Sequence, residues 1–421
     1  MTGTSSTDNR DDPDPFAVGF VLRLARALHA YGYSAARLED ILSATADRLG
    51  LAGHRFFSMP TQIMAAFGPE DRQRTHLLRV EPGEVNLGKV AALEAVSLDV
   101  VQGRTSPEEG MARIDRIVAA PSQYGPGIVT LARGVLSGTV SQFLGGGWRE
   151  IVVATMLGLG LGLLAIYAAN HARVGRVFEP LAALLLSAAA IGLARLVGPM
   201  SVFVATLAGL IVLMPGLLLT TAITELATRH LASGTLRMGS AFMTLLGIVF
   251  GVALGTRLGT MLFGEPASAL PSALPGWAPY VAVVLAAVSS VVILRADPRD
   301  APWIVAAGVL GLLAGRFGAA KLGLELGMFV AAFGVAMASA AYERWRSRPA
   351  PVVLVPGILL LVPGSIGYLS VSSLMQRNTV AGIDTAFTMV LTAVSLVAGL
   401  LIASILAPEP KRAATPRQLG P

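Results

Sequence analysis

The hydrophobic and polar positions divide the chain at about residue 120 into two parts of different character. In residues 16–120, apolar positions recur at helical spacing or alternate as in strands, with polar positions between them. From Pro126 to Leu406 the chain is almost continuously apolar, and ten segments are each long enough to cross about 30 Å of hydrocarbon. This pattern predicts a polytopic α-helical membrane protein with ten transmembrane helices and an N-terminal soluble α+β domain.

The part before residue 120 contains recognisable start and stop signals for helices and strands. Two helices are predicted first, and Ser34 is expected to cap the second. Two more are predicted at the end of this part, the last of them with Ser106 as N-cap and Pro107 at its first position. Three strand-like segments between the two pairs of helices cover residues 54–59, 61–68 and 75–80. The predicted organisation of the whole chain is a disordered tail (1–15), a cytoplasmic α+β domain (16–120), two five-helix membrane repeats (121–260 and 275–407) and a cytoplasmic tail (408–421).

Composition and charge support the membrane assignment. Charged residues make up 14% of the chain, hydrophobic residues 54%, and the mean hydropathy is +0.66, which excludes an ordinary soluble globule. The chain has no Cys and its five His form no HExxH pair, so no metal or other cofactor is expected. The net charge of +6 is interpreted as Lys and Arg of cytoplasmic loops, and no nucleic acid partner is expected.

The distribution of basic residues also predicts the orientation in the membrane. Ten spans place both termini on one side, and the loops on that side carry about twice as many Lys and Arg residues as the loops on the other. Cytoplasmic loops are enriched in these residues, so both termini are expected in the cytoplasm. The predicted location is the inner membrane of the cell, as a multi-pass protein.

The apolar part contains an internal repeat at a constant offset of 148 residues. The matching residues are Gly209 with Gly357, Pro215 with Pro363, Gly216 with Gly364, Arg229 with Arg377, and Gly234 with Gly382. Each half contains five predicted spans, and duplication of an odd number of spans inserts the two copies in opposite orientations. The sequence therefore predicts a 5+5 inverted repeat, which is an architecture of secondary transporters.

A Pro-Gly pair interrupts the fourth and the ninth predicted span. Proline removes a helix hydrogen bond, so backbone groups become free for a ligand at this point. Hydroxyl groups and one carboxylate follow the breaks, and this combination could hold the carboxylate and ammonium groups of a small zwitterion. The residues expected along the substrate and proton pathway are Pro215, Gly216, Thr220, Thr221, Thr224, Glu225, Pro363, Gly364, Tyr368 and Ser372. The alternative is that Pro-Gly only kinks a packed helix while Ser and Thr bond to their own backbone.

A charged residue within a membrane span is costly and is therefore a functional candidate. Arg229 and Arg377 are interpreted as interfacial anchors rather than ligands, and Glu179 and Glu325 as charges at helix N-termini. Glu225 could carry a proton or bind the substrate amine; alternatively it is a solvated residue paired with Arg229. The candidate charge partners of the pathway are Arg133, Arg229, Arg377 and Asp384. The glycines of residues 158–162 superficially match a nucleotide-binding fingerprint, but no strand precedes them, so close helix packing is predicted.

From about Phe16 onward, the chain resembles the threonine/serine exporter family of bacterial and fungal membrane proteins. The resemblance is carried by LARALHAYGYSAARLEDIL (24–42), by MPTQIMAAFG (59–68) and by the two Pro-Gly spans with Gly234 and Gly382 downstream. It implies a cytoplasmic N-terminal domain followed by two five-span blocks. It also implies export of threonine and serine driven by the proton motive force.

The expected function is therefore a proton-coupled antiporter that exports threonine and serine by alternating access, and not an enzyme. The expected partners are threonine, serine, protons and the lipid bilayer, together with a second copy of the chain in a homo-oligomer. One alternative, which the resemblance leaves open, is export of small dicarboxylates such as succinate.

The other alternative is a membrane-anchored enzyme or sensor that acts through residues 16–120. Its nucleophile set would have to come from residues such as His54, Ser58 and Glu39. No GxSxG elbow is present, and Glu39 is predicted to be a helix-surface or capping residue.

Overall fold

A computed structural model describes residues 14–81, 83–361 and 364–407 of the chain. It contains two compact units. The first consists of residues up to 121 together with 225–236, and the second of the remaining residues. The predicted tails lie outside the described residues, except for Asp14 and Pro15, which begin the first helix.

The first unit contains the helices and strands that the sequence predicts for residues 16–120. They are α1 (Pro15–Ala30), α2 (Ala35–Arg48), β1 (Arg55–Met59), β2 (Gln62–Phe67), β3 (Arg74–Arg79), α3 (Leu87–Val101) and α4 (Pro107–Ala119). The strands form an antiparallel sheet in the order β1-β2-β3. A core that includes Phe20, Leu24 and Phe67 fills the space between the helices and the sheet. Ser106 caps α4 as predicted, because its Oγ accepts the N–H of Glu109.

The second unit is helical throughout its described part, apart from connecting segments. Its first half contains α5 (Pro126–Phe143), α6 (Trp148–Ala169), α7 (Ala172–Gly175), α8 (Phe178–Val197), α9 (Val202–Gly209), α10 (Gly216–Ala227) and α11 (Leu231–Phe263). Its second half contains α12 (Ala278–Ile293), α13 (Ala301–Leu322), α14 (Leu324–Arg346), α15 (Pro351–Leu359), α16 (Gly364–Met375) and α17 (Thr379–Leu406). Both α10 and α11 run across the boundary between the two units.

Several helix boundaries recur at the offset of 148 residues. The bounds of α16 are those of α10 shifted by 148, and so is the first residue of α17 relative to α11. Arg229 and Arg377, which follow α10 and α16, both adopt left-handed backbone conformations with φ of 66° and 61°. Two carbonyls at equivalent positions accept the closing bonds: His230 N–H donates to Glu225 O and Asn378 N–H donates to Ser373 O. The two halves therefore share local geometry as well as sequence.

Seven helices of the described part are long and apolar enough to cross a membrane, or eight if the bent pair formed by α9 and α10 counts as one span. This confirms a polytopic helical protein, but the predicted ten spans are not all present by this measure. The two missing segments are α5 and α12. At 1.5 Å per residue, α12 reaches about 24 Å and α5 about 27 Å, both short of a 30 Å core. Arg133 and Gln142 also lower the hydropathy of α5.

Glycines allow α5 and α6 to approach each other closely. A Cβ atom on Gly158 would lie 2.5 Å from Ser137 Oγ, and one on Gly162 would lie 2.7 Å from Thr130 Oγ1. No larger residue fits at these positions without displacement of α5. The prediction that residues 158–162 serve helix packing is confirmed.

Candidate transport site

The two predicted helix breaks meet in the second unit. The axis of α9 and that of the segment ending in α10 differ by 48°, and the buried Pro215 lies at the start of α10. Gly216 begins α10 and Gly364 begins α16. A Cβ on Gly364 would lie 3.1 Å from Gly216 Cα and 3.3 Å from Met214 Cβ. The backbones of the two breaks are therefore in contact, which a residue other than glycine would hinder.

This contact joins residues at equivalent positions of the two halves. Gly216 and Gly364 are separated by the repeat offset of 148 residues, and so are Leu219 and Gly367. A Cβ on Gly367 would lie 4.0 Å from Leu219 Cδ1, so the second pair is also close. Equivalent residues touch each other when they lie near the axis that relates the two copies.

Three threonines of α10 follow the first break, and they differ in their hydrogen bonds. Thr221 Oγ1 donates to Leu217 O at 2.9 Å, and Thr224 Oγ1 donates to Thr220 O at 2.8 Å. The Thr220 hydroxyl is buried and has no hydrogen-bond partner among the described residues. A buried hydroxyl without a partner costs about 1–3 kcal/mol, so Thr220 is the threonine of this helix with capacity for a ligand.

The second break is followed by buried polar residues of α16. Tyr368, at the position equivalent to Thr220, is 2% exposed, and its ring lies 6.4 Å from that of Phe203 on α9. Ser372 is buried and accepts a hydrogen bond from Gln376 Nε2 at 3.1 Å. The predicted Pro363 lies outside the described residues. Hence the described part of α16 contributes a phenol ring close to α9 and one serine hydroxyl.

The electrostatics of the break favour negative charge. Both α10 and α16 begin at the Gly216–Gly364 contact, so two helix N-termini converge there. Each N-terminus carries about half a positive elementary charge. In α10 the N–H of Gly216 is already bonded to Met214 O and that of Leu219 to Pro215 O, so the remaining N–H groups of this first turn are those that could bind a ligand. A carboxylate is the ligand group that such a pair of helix ends would stabilise.

Comparison with known proteins relates this arrangement to one family. Residues 19–259 match a family model described as "Putative threonine/serine exporter", and residues 279–406 match one described as "Threonine/Serine exporter, ThrE". The chain belongs to the threonine/serine exporter family. This confirms the family predicted from the sequence.

Curated relatives of this exporter-family chain are fungal membrane proteins. "Pheromone-regulated membrane protein 10" of Kluyveromyces lactis is 30% identical over 236 residues, which are 55% of this chain and 25% of the relative. The protein of the same name from Debaryomyces hansenii is 24% identical over 381 residues, 87% of this chain and 37% of the relative. The chain thus spans less than two fifths of the length of these relatives. No solved structure matches it.

In the exporter-family chain, Glu225 belongs to the first unit together with residues 226–236. Its carboxylate is 1% exposed and accepts the N–H of Ala35, the first residue of α2, at 2.8 Å. Ser34 occupies the N-cap position of α2 as predicted, but its side chain makes no capping bond. Glu225 therefore accepts a backbone N–H at the start of α2. The residues around Glu225 in the sequence give no indication of this contact.

A second carboxylate of the first unit lies near the same segment. Glu39 Oε1 accepts the N–H of Ser58 at 2.7 Å, and Glu39 Oε2 lies 3.5 Å from His230 Nε2. Burial raises the pKa of Glu39, while the bond from Ser58 and the charge of His230 oppose this shift. His54, Ser58 and Glu39, named above as a nucleophile set, do not come together. His54 precedes the first residue of β1 and its Nδ1 lies 2.9 Å from Leu51 O, whereas Ser58 lies near the other end of the same strand. The ring near Ser58 is that of His29, whose Nδ1 lies 3.4 Å from Ser58 Oγ.

The candidate charge partners occupy different places in the exporter-family chain. Arg133 is half-buried in α5, and its carbonyl packs against Gly158 of α6. Arg229 and Arg377 are exposed at the turns after α10 and α16, and Asp384 is exposed in α17. The residues that the structure brings together at the break are Gly216 and Gly364.

Proposed function

We propose that the chain is a secondary transporter that exports threonine and serine by alternating access, driven by the proton motive force. Membership of the threonine/serine exporter family supports this class of cargo. The observation that carries the mechanism is the contact between Gly216 and Gly364, which joins equivalent breaks of the two halves. Paired broken helices form the binding sites of many secondary transporters.

The proposed topology has ten spans in two inverted repeats, with both termini in the cytoplasm and the chain in the inner membrane. Residues 225–236 share one compact unit with the residues up to 121, so both segments lie on the same side of the membrane. The chain between them must therefore cross an even number of times. Because α6 and α8 qualify as spans, α5 and the bent pair either both cross or both do not. In the proposal both cross, and α12 crosses as the equivalent of α5.

We assign the cargo to the space beside the break. The backbone N–H groups at the starts of α10 and α16 would bind its carboxylate. The Thr220 hydroxyl, which lacks a partner among the described residues, would bond to a polar group of the cargo. Pro215, Thr221, Thr224, Pro363, Tyr368 and Ser372 remain the proposed surroundings of this site.

Glu225 remains the proposed proton carrier. Its carboxylate is 1% exposed and accepts the N–H of Ala35, so a change in its charge would act directly on this bond. Protonation would weaken its bond to the N–H of Ala35. In this proposal, protonation of Glu225 changes a contact at the C-terminal end of α10, and α10 begins at the break where the cargo would bind.

Exchange of Thr220 and Thr221 for valine tests the proposed site. Valine has nearly the shape of threonine but lacks the hydroxyl, so Thr220→Val should raise the KM for threonine counterflow by about 5- to 100-fold. The matched comparison is Thr221→Val: Thr221 lies in the proposed surroundings of the site, but its hydroxyl is already bonded to Leu217 O, so its loss should change the KM much less. Counterflow of labelled threonine in proteoliposomes is the measurement. Equal KM values in the two variants would remove Thr220 from the site.

A second candidate function is export of small dicarboxylates. It is favoured by the convergence of two positive helix ends at one point, which suits a cargo with two negative groups. Competition separates the two candidates: an amino-acid exporter is inhibited by unlabelled threonine or serine. A dicarboxylate exporter is inhibited by unlabelled succinate.

A further inference from the structure

One buried carboxylate joins the starts of two helices at the corner between α5 and α6. Glu150 Oε2 accepts the N–H of Gly147, the N-cap of α6, at 2.9 Å. Glu150 Oε1 accepts the N–H of Ser201, the N-cap of α9, at 2.8 Å. We call this arrangement of Glu150 with Gly147 and Ser201 the Glu150 bridge. It holds the first half of the bent pair, α9, against α6.

The Glu150 bridge is built from backbone donors alone. Glu150 is 2% exposed, and no ion pair of the described residues includes it. Two helix N-termini supply the positive field that keeps a buried carboxylate stable, so loss of either donor removes a large part of that stabilisation. The arrangement in which α9 lies against α6 is therefore much more favourable than one in which the two helix starts have separated slightly.

At the equivalent corner of the second half, between α12 and α13, a different set of side chains connects the start of one helix with the segment before another. Asp300, at the start of α13, is fully buried and accepts a hydrogen bond from Tyr342 at 2.8 Å. Arg348, in the turn before α15, places Nη1 3.1 Å from Asp300 Oδ1 and 3.4 Å from Asp297 Oδ2. This group thus joins the start of α13 to the turn that precedes α15, the helix before the second break.

The sequence explains why the two corners differ. The position equivalent to Ser201, 148 residues later, is Pro349, which has no backbone N–H. The second half therefore cannot form the bond that Ser201 donates, and the Arg348 side chain takes its place. The same mechanical connection is thus present in both halves with different donors. A connection at both corners suggests a role in the working cycle rather than an accident of packing.

We propose that the Glu150 bridge is a gating contact of the transporter. In this proposal, Glu150 is a positioning residue that holds α9 closed on α6, and opening of the site toward this corner breaks its bond to Ser201. It would set the rate of the conformational step and leave the affinity for cargo unchanged. On the proposed topology the Asp300–Arg348 group would do the same at the opposite face. The proposal rests on the proposed transport function.

Two variants break the bridge in different ways. Glu150→Gln keeps the size of the side chain but leaves a single acceptor, and its amide N–H₂ faces a donor. Ser201→Pro retains the carboxylate and removes the N–H together with the Oγ cap of Val204; the φ of −81° at this position is close to that of proline. The matched controls are Ser201→Ala, which keeps the N–H but loses the Oγ cap to Val204, and Glu179→Gln, which removes an acid from the first turn of α8.

A cysteine at the corner reports its opening without any cargo. The chain has no Cys, so Met200→Cys introduces a single reactive thiol at a residue that is 1% exposed and precedes Ser201. With a water-soluble maleimide, we expect Glu150→Gln and Ser201→Pro to accelerate labelling about tenfold and both controls to leave it unchanged. Thermal unfolding of each purified variant identifies any that is not folded, and the comparison then uses the other.

Counterflow provides the second measurement. We expect the maximal rate in the bridge variants to change at least about threefold while KM stays within about twofold. If both variants are labelled at the rate of the protein that carries Met200→Cys alone, Glu150 is not a gating contact, whatever the cargo. A changed KM with an unchanged maximal rate would assign Glu150 to the binding site instead and would also overturn it. Absence of counterflow in the unmodified protein would contradict the proposed function but leave the labelling result intact.

Discussion

The carboxylate of Glu225 accepts the backbone N–H of Ala35 at 2.8 Å, across 190 residues of sequence. Glu225 stands near the end of α10, the helix that begins at the Pro215–Gly216 break, and Ala35 begins α2 of the first unit. The bond thus connects a helix that starts at the proposed site with the N-terminal residues. Glu225 is also the residue proposed to carry the proton, so this bond lies where proton coupling is proposed.

Glu225→Gln separates a role in proton transfer from a role in capping. Glutamine retains a carbonyl oxygen that can accept the N–H of Ala35, so we expect the thermal stability of the purified protein to change little. It cannot carry a proton, so we expect efflux driven by an imposed pH gradient to be lost. Labelled-threonine efflux from proteoliposomes, with and without the gradient, is the measurement.

Glu225→Leu is the matched comparison, because it removes the acceptor as well as the charge. We expect it to lower the stability by about 1–2 kcal/mol, the usual cost of a lost helix cap. Normal gradient-driven efflux in Glu225→Gln would leave Glu225 with a structural role only.

The half-buried Glu39 makes the first unit sensitive to pH. Burial raises its pKa above the value of an exposed glutamate, so the folded unit binds this proton more tightly than the unfolded chain does. Its stabilising contribution is therefore complete at pH values below the unfolded pKa and is lost as the pH rises through the folded pKa. We expect hydrogen–deuterium exchange at Ser58, corrected for its intrinsic rate, to show decreasing protection as the pH rises above 4.5, the ordinary pKa of a glutamate.

Glu39→Gln should abolish this dependence, because glutamine stays neutral and can still accept the N–H of Ser58. Asp40→Asn is the comparison, because Asp40 is exposed and its charge is only a minor cause of the raised Glu39 pKa, so the pH dependence should persist in this variant. If the pH dependence persists in Glu39→Gln and disappears in Asp40→Asn, the prediction is wrong and Asp40 is the group responsible.

Much of the local structure could be predicted from the sequence. The strand-like pattern of residues 61–68 and the cap at Ser106 are local signals, and the strand and the helix lie where they indicate. The count of spans does not follow from such local signals, because α5 and α12 are short and only their place in the repeat marks them as spans.

The candidate site is a mixed case for the same reason. The offset of 148 residues identified Gly216 and Gly364 as equivalent, but contact between them is a tertiary property. Nothing near Glu225 in the sequence indicates that it caps a helix 190 residues away. His230 and His29 were missed as partners of Glu39 and Ser58 because their contacts also join distant segments. Periodicity and caps act over a few residues, so they do not reveal such pairs.

The proposed topology predicts which side of the membrane each turn of the first half faces. The even number of crossings between residues 121 and 225 is met either with α5 and the bent pair both spanning or with neither. If both span, a cysteine at Phe143 after α5 faces outward and one at Ala172 after α6 faces the cytoplasm. A membrane-impermeant maleimide added to intact cells should therefore label Phe143→Cys and not Ala172→Cys. The reverse pattern would mean either that neither segment crosses or that the termini lie outside, and the proposed topology would be wrong in both cases.

The contact between the two breaks predicts a strong effect of a single methyl group. In Gly364→Ala, the new Cβ would lie 3.1 Å from Gly216 Cα, and backbone on both sides leaves no flexible side chain to move away. The two helix starts would have to separate by a few tenths of an ångström, which displaces the N–H groups proposed to bind the cargo carboxylate. We expect threonine counterflow to fall at least about tenfold, with a loss of stability of about 1–3 kcal/mol. Gly239→Ala is the matched control, because this glycine of α11 has no atom within 4 Å of its Cβ position, and alanine should stabilise the helix by up to about 1 kcal/mol without loss of transport. If Gly364→Ala transports as well as Gly239→Ala, the close approach of the breaks is a packing feature, and the cargo must bind elsewhere in the second unit.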